Sequence, residues 1–344
     1  MRAMLLEALD PAGESAAPLR MVNRPIPTPG AGEVLIRVLA CGVCHTELDE
    51  IAGRTAPPVL PVVPGHQVVG IVQAPGAGVT SPAAGERVGV AWIGGACGAC
   101  SYCRQGFENL CPGFTATGRD RDGGYAEFAL ARADFAIPIP LALDDASAAP
   151  LLCAGAVGYR SLRLAGLADG EPLGLTGFGA SGHIVLQLAR SLYPRSPVAV
   201  FARSPQEREF ARSLGAAWAG DTQDQPPSAL RAIIDTTPAW SPVLAALRNL
   251  APGGRLVINA IRKESQDRDE LRGLSYEHQL WMEREIKSVA NVTRQDIRDM
   301  LDAAVAAGIR PEVREYPLEK ANEALLDIRD RHIRGATVLR VAPA

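Results

Sequence analysis

The segment that decides the fold is PLGLTGFGASGHIVLQLAR, residues 172–190. Its first five residues predict a short apolar β-strand, and its last seven predict a helix. Between them lies the spacing Gly-x-Gly-x-x-Gly, in which each missing Cβ makes room for a tight turn, a pyrophosphate or close helix packing. We therefore expect dinucleotide phosphates at a helix N-terminus, bound by Gly177, Gly179, Ala180, Ser181 and Gly182.

Strand and helix patterns alternate through the rest of this region. Further strands are predicted at residues 198–201, 232–235, 254–260 and 285–291. Two helices are expected to begin at Ser204-Pro205 and Ser241-Pro242, with serine as N-cap and proline at the first helical position. The alternation predicts a doubly wound parallel sheet with right-handed crossovers.

The end of the second strand bears on the choice of cofactor. NAD-preferring sites carry Asp or Glu about 20 residues past the glycines, where it binds the ribose hydroxyls. This chain has Ala202, Arg203 and Ser204 there, so no carboxylate is present. A guanidinium favours the extra phosphate of NADP, although Arg203 as a solvated loop cation is an alternative. We predict NADP as the preferred cofactor, with NAD as the second choice.

Towards the N-terminus, two thiols, an imidazole and a carboxylate lie within Cys41-Gly-Val-Cys44-His45-Thr46-Glu47. The segment follows the apolar residues 34–40, so its polar groups are predicted at a strand end or in the following loop. A single Cys-x-x-Cys permits three interpretations: a redox dithiol, half of a zinc site, or two buried thiols acting as small hydrophobic groups.

A second group of thiols gives a stronger metal signal, because four of them lie within fifteen residues: Cys97, Cys100, Cys103 and Cys111. Such a loop can surround one tetrahedral ion. An iron–sulfur cluster is the main alternative, since Pro112 follows the last cysteine, but the seven-residue gap before it does not match ferredoxin spacing. We predict a closed structural zinc site.

Two further residues are candidate ligands. His66 lies in Pro64-Gly65-His66-Gln67, a turn before a strand, and Cys153 begins an apolar helix-like segment. Each alone is typical of an ordinary polar histidine or a core thiol. A catalytic zinc needs three protein ligands and one open position, and Cys₂His is a known set. Spacing alone does not show that these residues converge with Cys44.

Bulk properties exclude several classes of protein. The chain has 344 residues, enough for two domains, with 47% hydrophobic and 21% charged residues. A net charge of −3 with scattered cations gives no basis for nucleic-acid or membrane binding. No signal peptide and no run of about 18 apolar residues is present. Seven cysteines, an odd number, favour the reducing cytoplasm over disulfides.

The first part of the chain differs in texture from the second. Short apolar runs, at residues 34–40, 68–73, 87–92 and 125–130, are separated by Gly and Pro and predict a β-rich domain. The order of Cys44-His-Thr, Gly65-His66, four clustered cysteines, Cys153 and the glycine turn resembles the zinc-containing alcohol dehydrogenases of the medium-chain superfamily. The resemblance implies a GroES-like catalytic domain at residues 1–150, completed by 292–344, and a Rossmann cofactor domain at 151–291.

The resemblance also implies roles for individual residues. The catalytic zinc ligands would be Cys44, His66 and Cys153, and the structural ligands would be the four clustered cysteines, leaving Cys41 as a packed thiol. Thr46 would pass the alcohol proton away from the metal, with Asp49 at the outer end of that relay. The pocket would be lined by Thr46, Ile51, Trp92 and Phe114, and the cofactor would also meet Asn291 and Arg340.

Four positions depart from the family pattern. Gln67 replaces a glutamate, Glu47 an aspartate, Asp49 a histidine and Ala336 an arginine. Groups that support metal ligands tune the metal, so an unusual zinc affinity and pH profile are expected.

The predicted activity is interconversion of primary or secondary alcohols with aldehydes or ketones. Zinc would lower the pKa of the bound alcohol, which then gives hydride to the nicotinamide. The partner is a small-molecule alcohol or aldehyde, and the family implies a homo-oligomer, a dimer or tetramer. Alternatives are a cinnamyl-type or polyol dehydrogenase and, from another class, a non-catalytic nucleotide-binding redox sensor. The complete ligand set, Thr46 and the glycine turn argue against the sensor.

Overall fold

The computed structural model describes residues 1–330 and 334–341. The strands, numbered along the chain, are β1 (Arg2–Leu6), β2 (Leu19–Asn23), β3 (Glu33–Val43), β4 (Val68–Pro75), β5 (Arg87–Val90), β6 (Ile93–Gly95), β7 (Thr115–Ala116), β8 (Phe128–Arg132), β9 (Ile137–Pro138), β10 (Leu173–Thr176), β11 (Val198–Phe201), β12 (Trp218–Gly220), β13 (Leu230–Asp235), β14 (Leu250–Ile258), β15 (Glu285–Ser288), β16 (Val313–Pro317) and β17 (Ala336–Arg340).

The α-helices are α1 (His45–Ile51), α2 (Ser101–Arg104), α3 (Asp145–Pro150), α4 (Ala156–Ala165), α5 (Ala180–Leu192), α6 (Pro205–Ser213), α7 (Ser241–Arg248), α8 (Arg294–Ala306) and α9 (Ala321–Arg329). A π-helical turn, Leu151–Gly155, joins α3 to α4. In the described part of the chain, no helix has the length and apolarity needed to cross a membrane.

The chain divides into two compact units. The first unit contains Met1–Cys153, Asn291–Val305 and the described residues from Arg310 onward, and the second contains Ala154–Ala290 and Ala306–Ile309. The predicted boundary after residue 150 lies three residues before this division, so Cys153 belongs to the first unit. The reason is packing, since Leu152 lies against Gly89 of β5 so closely that no Cβ would fit there.

The first unit is built around β3. Its alternate residues Val34, Ile36 and Val38 are fully buried, as expected for a strand with one face on a core. The main sheet has the order β16-β17-β3-β4-β5-β9, and β8 also pairs with β3. β17, near the end of the described chain, pairs antiparallel with β3, with Leu339 opposite Cys41. The late segment of the chain therefore completes the sheet that carries the first cysteines.

The second unit contains the predicted parallel sheet. Its six strands have the order β12-β11-β10-β13-β14-β15, and every neighbouring pair is parallel. β10 lies between β11 and β13, so the strand order reverses direction at β10. In open parallel sheets, ligands bind outside the carboxyl ends of the strands at such a point. The prediction of a doubly wound α/β domain is confirmed.

Several element predictions need correction. The residues after Cys44 form helix α1, and not a strand end or loop. The predicted strand 87–92 stops at Val90 because Trp92 leaves the ladder. The predicted strand 125–130 is shifted to β8, which begins at Phe128. Tyr125 lies before β8, and its carbonyl accepts the N–H of Met4. The predicted strand 254–260 corresponds to β14, which begins earlier, at Leu250, and ends at Ile258. The predicted strand 285–291 corresponds to β15, which ends earlier, at Ser288.

The two predicted serine caps have different outcomes. Ser204 caps α6 as predicted, accepting the N–H of Glu207 at 3.4 Å. Ser241 is the first residue of α7 rather than its N-cap, so its side chain cannot cap the helix. The carboxylate of Asp267 does so instead, accepting the N–H groups of Trp240 at 2.7 Å and Ser241 at 2.8 Å.

Candidate functional site

Cys44, His66 and Cys153 converge in the first unit. Cys44 is the N-cap of α1, His66 precedes β4, and Cys153 lies in the π-helical turn, a feature frequent at functional sites. His66 Nε2 lies 3.7 Å from Cys44 Sγ and 3.3 Å from Cys153 Sγ. A tetrahedral zinc with Zn–S of about 2.3 Å and Zn–N of about 2.0 Å separates its ligands by about 3.5–3.8 Å. The three ligand atoms, mutually within 4.8 Å, therefore fit zinc.

Glu47 orients the histidine of this cluster. Its Oε1 lies 2.6 Å from His66 Nδ1, and the two side chains are 0% and 1% exposed. A proton on Nδ1 leaves the Nε2 lone pair for a metal, the usual arrangement of a ligating histidine. Burial lowers the pKa of His66, but the charges of Glu47 and Cys44 outweigh it and raise that pKa well above its usual value.

The two thiols of the cluster favour a cation between them. The neighbouring Cys153 thiol, followed by burial, raises the pKa of Cys44 well above its usual value. A negative charge on the Cys44 sulfur, beside the Cys153 sulfur, is therefore unfavourable without a cation. A divalent ion reverses this, because a coordinated thiol is deprotonated. The donor chemistry of the cluster therefore suits zinc.

The four clustered cysteines form a second group whose ligand atoms also lie within 4.8 Å of one another. Cys97 Sγ and Cys103 Sγ are 3.9 Å apart, near the separation expected for two sulfurs on one zinc. Backbone N–H groups of Ala99 and Cys100 donate to Cys97 Sγ and lower its pKa to about 6. Such donors stabilise thiolates. The loop fits a closed site in which protein fills all four positions.

Two of the predicted pocket residues, Trp92 and Phe114, are in contact. The rings of Trp92 and Phe114 have centroids 5.2 Å apart, and Ile51 is the buried last residue of α1. Trp92 Nε1 donates to Glu50 Oε1 at 3.3 Å. Sequence reasoning missed Glu50. Its available signal was the three-residue spacing after Cys44 and Glu47, which becomes meaningful only once the segment is known to be helical.

The two residues of the predicted proton relay both lie on α1. Thr46 is half-buried in the first turn of α1, and its N–H donates to Cys44 Sγ at 3.4 Å. Asp49 is buried, and its Oδ1 accepts the Nε of Arg54 at 2.7 Å. The Asp49 carboxylate is therefore already paired with a guanidinium. Both roles stay predictions.

The glycine turn of the second unit has the geometry expected for a phosphate site. Gly177 has φ +83°, and a Cβ there would lie 2.8 Å from Thr236 Oγ1. A Cβ on Gly182 would lie 2.7 Å from the Gly177 carbonyl oxygen. Gly179 is the N-cap of α5 and provides no side-chain cap, so Ala180 and Ser181 present the first helical N–H groups to an anion. The turn fits a dinucleotide pyrophosphate.

A buried ion pair that sequence reasoning missed supports this turn. The ammonium of Lys263 contacts the buried carboxylate of Asp235 at the end of β13. It also donates to the carbonyls of Thr237 at 2.7 Å and Ala239 at 3.0 Å. Lys263 thereby fixes the loop that packs against Gly177. Its distance of 28 residues from Asp235 gave no signal in the sequence.

Two cations lie at the loop after β11, Arg203 in the loop itself and Arg208 in α6. Ala202 is buried and Arg203 is exposed. Arg208, which sequence reasoning also missed, donates through Nη1 to the carbonyl of Ala202 at 2.8 Å and to Asp221 at 3.1 Å. The loop therefore has positive charge and lacks a carboxylate at residues 202–204.

Asn291 and Arg340 belong to the first unit, and the glycine turn belongs to the second. Asn291 has φ +55°, and its Oδ1 accepts the N–H of Val292. Arg340 pairs with Glu315, and Arg334, close to Ala336, pairs with Glu312 at 3.0 Å. Their contact with a cofactor stays a prediction.

Comparisons with known proteins agree with this geometry. Residues 30–141 match the alcohol dehydrogenase GroES-like domain. The chain is 43% identical over 336 residues, 96% of this chain and 95% of the relative, to a probable alcohol dehydrogenase of Mycobacterium tuberculosis. Its structure is similar to a cinnamyl alcohol dehydrogenase of Sorghum bicolor, with TM-score 0.86, 29% identity and coverage of 100% and 98% of the two chains.

A cobalt- and zinc-bound thermostable alcohol dehydrogenase of Pyrobaculum aerophilum is also similar, with TM-score 0.85, 26% identity and 99% of each chain covered. The predicted fold class, a GroES-like domain with a Rossmann domain, is thereby confirmed. The chain belongs to the zinc-type alcohol dehydrogenases of the medium-chain dehydrogenase superfamily.

Proposed function

We propose that this protein is a zinc-dependent dehydrogenase that transfers hydride between an alcohol and NADP. Family membership makes it an oxidoreductase acting on alcohols. The observation that carries the finer proposal is the convergence of Cys44, His66 and Cys153. Three protein ligands leave the fourth position of a tetrahedral zinc open to substrate, as in catalytic zinc sites.

Residues of the chain would position the substrate between the zinc ion and the nicotinamide and would accept its proton. When bound, zinc supplies a Lewis acid that lowers the pKa of the alcohol, and the nicotinamide supplies the hydride acceptor. Glu47 holds His66 in the ligating tautomer. The Thr46 hydroxyl, two residues from Cys44, would accept the alcohol proton while releasing its own towards solvent. Trp92 and Phe114 form an apolar wall that keeps water from the reacting carbon.

We assign a second, structural zinc to the four-cysteine loop, giving two zinc ions per chain. The similar Pyrobaculum aerophilum enzyme is described as binding cobalt and zinc, and the spacing of the four sulfurs supports the same chemistry here. We also retain the prediction of a cytoplasmic protein, supported by seven free cysteines.

The cofactor preference follows from the loop after β11. Arg203 is exposed, Arg208 is anchored beside it, and no carboxylate stands at residues 202–204 to bind ribose hydroxyls. An arginine near that position accommodates the 2′-phosphate of NADP. The rings of Trp92 and Phe114 offer an apolar surface on which an aromatic substrate could pack. We therefore include aromatic alcohols, among them cinnamyl-type alcohols, in the proposed substrate range.

The function and cofactor preference are tested by one panel of alcohols and aldehydes assayed with NAD and NADP in parallel. We expect turnover that stops on zinc chelation, and kcat/KM at least about tenfold higher with NADP, the value of one charged hydrogen bond. Arg203→Ser should reduce the NADP preference, whereas Arg195→Ser, an exposed arginine of the same unit, should not. A preference for NAD overturns the cofactor assignment. Cofactor and zinc binding without any turnover would identify a non-catalytic sensor.

We further propose that the protein forms a homo-oligomer through β15. In the described chain β15 is the outer strand of its sheet, and all four of its residues are exposed. Such an edge presents unpaired N–H and C=O groups to a second copy. The exposed side chains of Tyr276, Trp281 and Ile286 in the same unit supply apolar surface.

Light scattering coupled to size-exclusion chromatography checks this assembly. We expect a dimer or tetramer, and we expect Ile286→Lys to lower the mass because a buried charge weakens the contact. Leu192→Lys, a substitution at an exposed apolar residue of α5, is the control. A monomeric wild-type protein at micromolar concentration contradicts the proposal.

A further inference from the structure

Three residues on α1 and its cap lie three positions apart: Cys44, Glu47 and Glu50. Residues three positions apart are neighbours on the surface of a helix. Cys44 belongs to the metal cluster, Glu47 contacts His66, and Glu50 accepts the indole N–H of Trp92. These neighbouring positions therefore carry a proposed zinc ligand, the partner of a second proposed ligand, and a residue that contacts the pocket wall.

Glu50 is an unusual residue to find in such a place. It is 1% exposed, and within the described residues its Oε2 is buried without a hydrogen-bond partner. Burial, followed by the charge of Glu47, raises the pKa of Glu50 to about 8. Burial of a carboxyl group with an unpaired oxygen is unfavourable, so the position of Glu50 calls for a specific explanation.

Trp92 is the side chain on which Glu50 acts. Its indole is held on one side by the Glu50 carboxyl, while the Arg119 guanidinium lies 5.1 Å over the ring and Phe114 packs against it at 5.2 Å. Arg119 is itself fixed by two hydrogen bonds of 2.8 Å to Asp120. Trp92 stays half-buried, so part of the ring faces open space. Of these three contacts, the one from Glu50 comes from α1, the helix that Cys44 caps.

We propose that Glu50 is a positioning residue for substrate specificity, which fixes the Trp92 indole relative to the Cys44–Glu47–His66 group. This inference rests on the proposed dehydrogenase function. A fixed indole gives bulky and aromatic alcohols a constant surface to bind. A small alcohol fills little of the pocket and gains little from that surface. Loss of Glu50 should therefore weaken ground-state binding of aromatic alcohols, seen in KM, more than it changes the rate of hydride transfer, seen in kcat.

The test uses the full-length zinc-loaded enzyme with ethanol and benzyl alcohol. Glu50→Ala should raise KM for benzyl alcohol about five- to tenfold, as for one buried hydrogen bond, and change KM for ethanol and both kcat values less than about twofold. Glu50→Gln retains an acceptor oxygen and should restore KM for benzyl alcohol to near the wild-type value. Glu86→Ala, which removes an exposed carboxylate of the same unit, is the control.

A double-mutant cycle with Trp92→Phe separates positioning from general damage. Trp92→Phe removes the indole N–H, so adding Glu50→Ala to it should have no further effect on KM for benzyl alcohol. The Trp92 fluorescence, taken as the difference from Trp92→Phe, should shift in Glu50→Ala and not in Glu50→Gln. The proposal is overturned if both alcohols respond equally, if Gln behaves as Ala, or if the two substitutions add. If Glu50→Ala does not fold, Glu50→Gln and Trp92→Phe still give the predicted contrast in KM. Absence of turnover in the wild type would instead refute the proposed function.

Discussion

Replacement of Cys44 by alanine is expected to lower kcat/KM for alcohol oxidation at least about a thousandfold, because a zinc ion contributes several kcal/mol of charge stabilisation in the transition state. In the proposed site Cys44 is one of three zinc ligands, so its loss would leave His66 and Cys153 to hold the ion. Metal content should fall from two zinc ions per chain to one. The dissociation constant of NADPH should stay within about threefold, since the glycine turn lies in the second unit.

A control for Cys44 lies three residues away. Cys41 is a fully buried thiol of β3, the strand that precedes Cys44, and it does not belong to either group of candidate ligands. Cys41→Ala should keep two zinc ions per chain and most of the activity. Steady-state kinetics with metal analysis distinguishes the two variants. A Cys44→Ala protein with two zinc ions and unchanged turnover contradicts the ligand assignment.

Replacement of Cys103 by serine is expected to act on stability. The loop of residues 97–111 has few apolar contacts of its own, because Cys97, Tyr102 and Phe107 are exposed. If the loop holds the proposed structural zinc, metal binding would therefore supply most of its folding free energy, as in small zinc domains. The midpoint of thermal unfolding should fall by about 5–15 °C, with loss of one zinc ion and faster proteolysis within the loop.

The consequences of that loss extend to α8. Glu108, in the same loop, accepts three hydrogen bonds from the Arg294 guanidinium, the shortest at 2.6 Å. If the loop became disordered, the ion pair between Glu108 and Arg294 would be lost. Ser101→Ala changes an exposed residue between the ligands and should leave zinc content and the midpoint unchanged. Differential scanning calorimetry with metal analysis is the measurement. Two zinc ions and a wild-type midpoint in Cys103→Ser would show that the loop does not need metal.

Local motifs were predictable because chain geometry over a few residues limits what they can form. The turn of residues 177–182 joins a strand to a helix and needs glycine where a Cβ would strike Thr236 Oγ1 or the Gly177 carbonyl. The four cysteines of the loop are close enough in sequence to reach one ion whatever surrounds them. Both features, and the parallel sheet, followed from periodicity and spacing.

The sequence by itself therefore determined a dinucleotide turn, a four-thiol loop and the two classes of domain. The tertiary structure decided which distant groups meet. The antiparallel register of β3 and β4, with Cys41 opposite Val68, brings Cys44 beside His66. The packing of Leu152 on Gly89 adds Cys153, which is 87 residues from His66. The same holds for Glu50, whose role depends on a helix of seven residues and on Trp92 leaving its strand. Such contacts depend on strand register and core packing, which no local pattern of residues encodes.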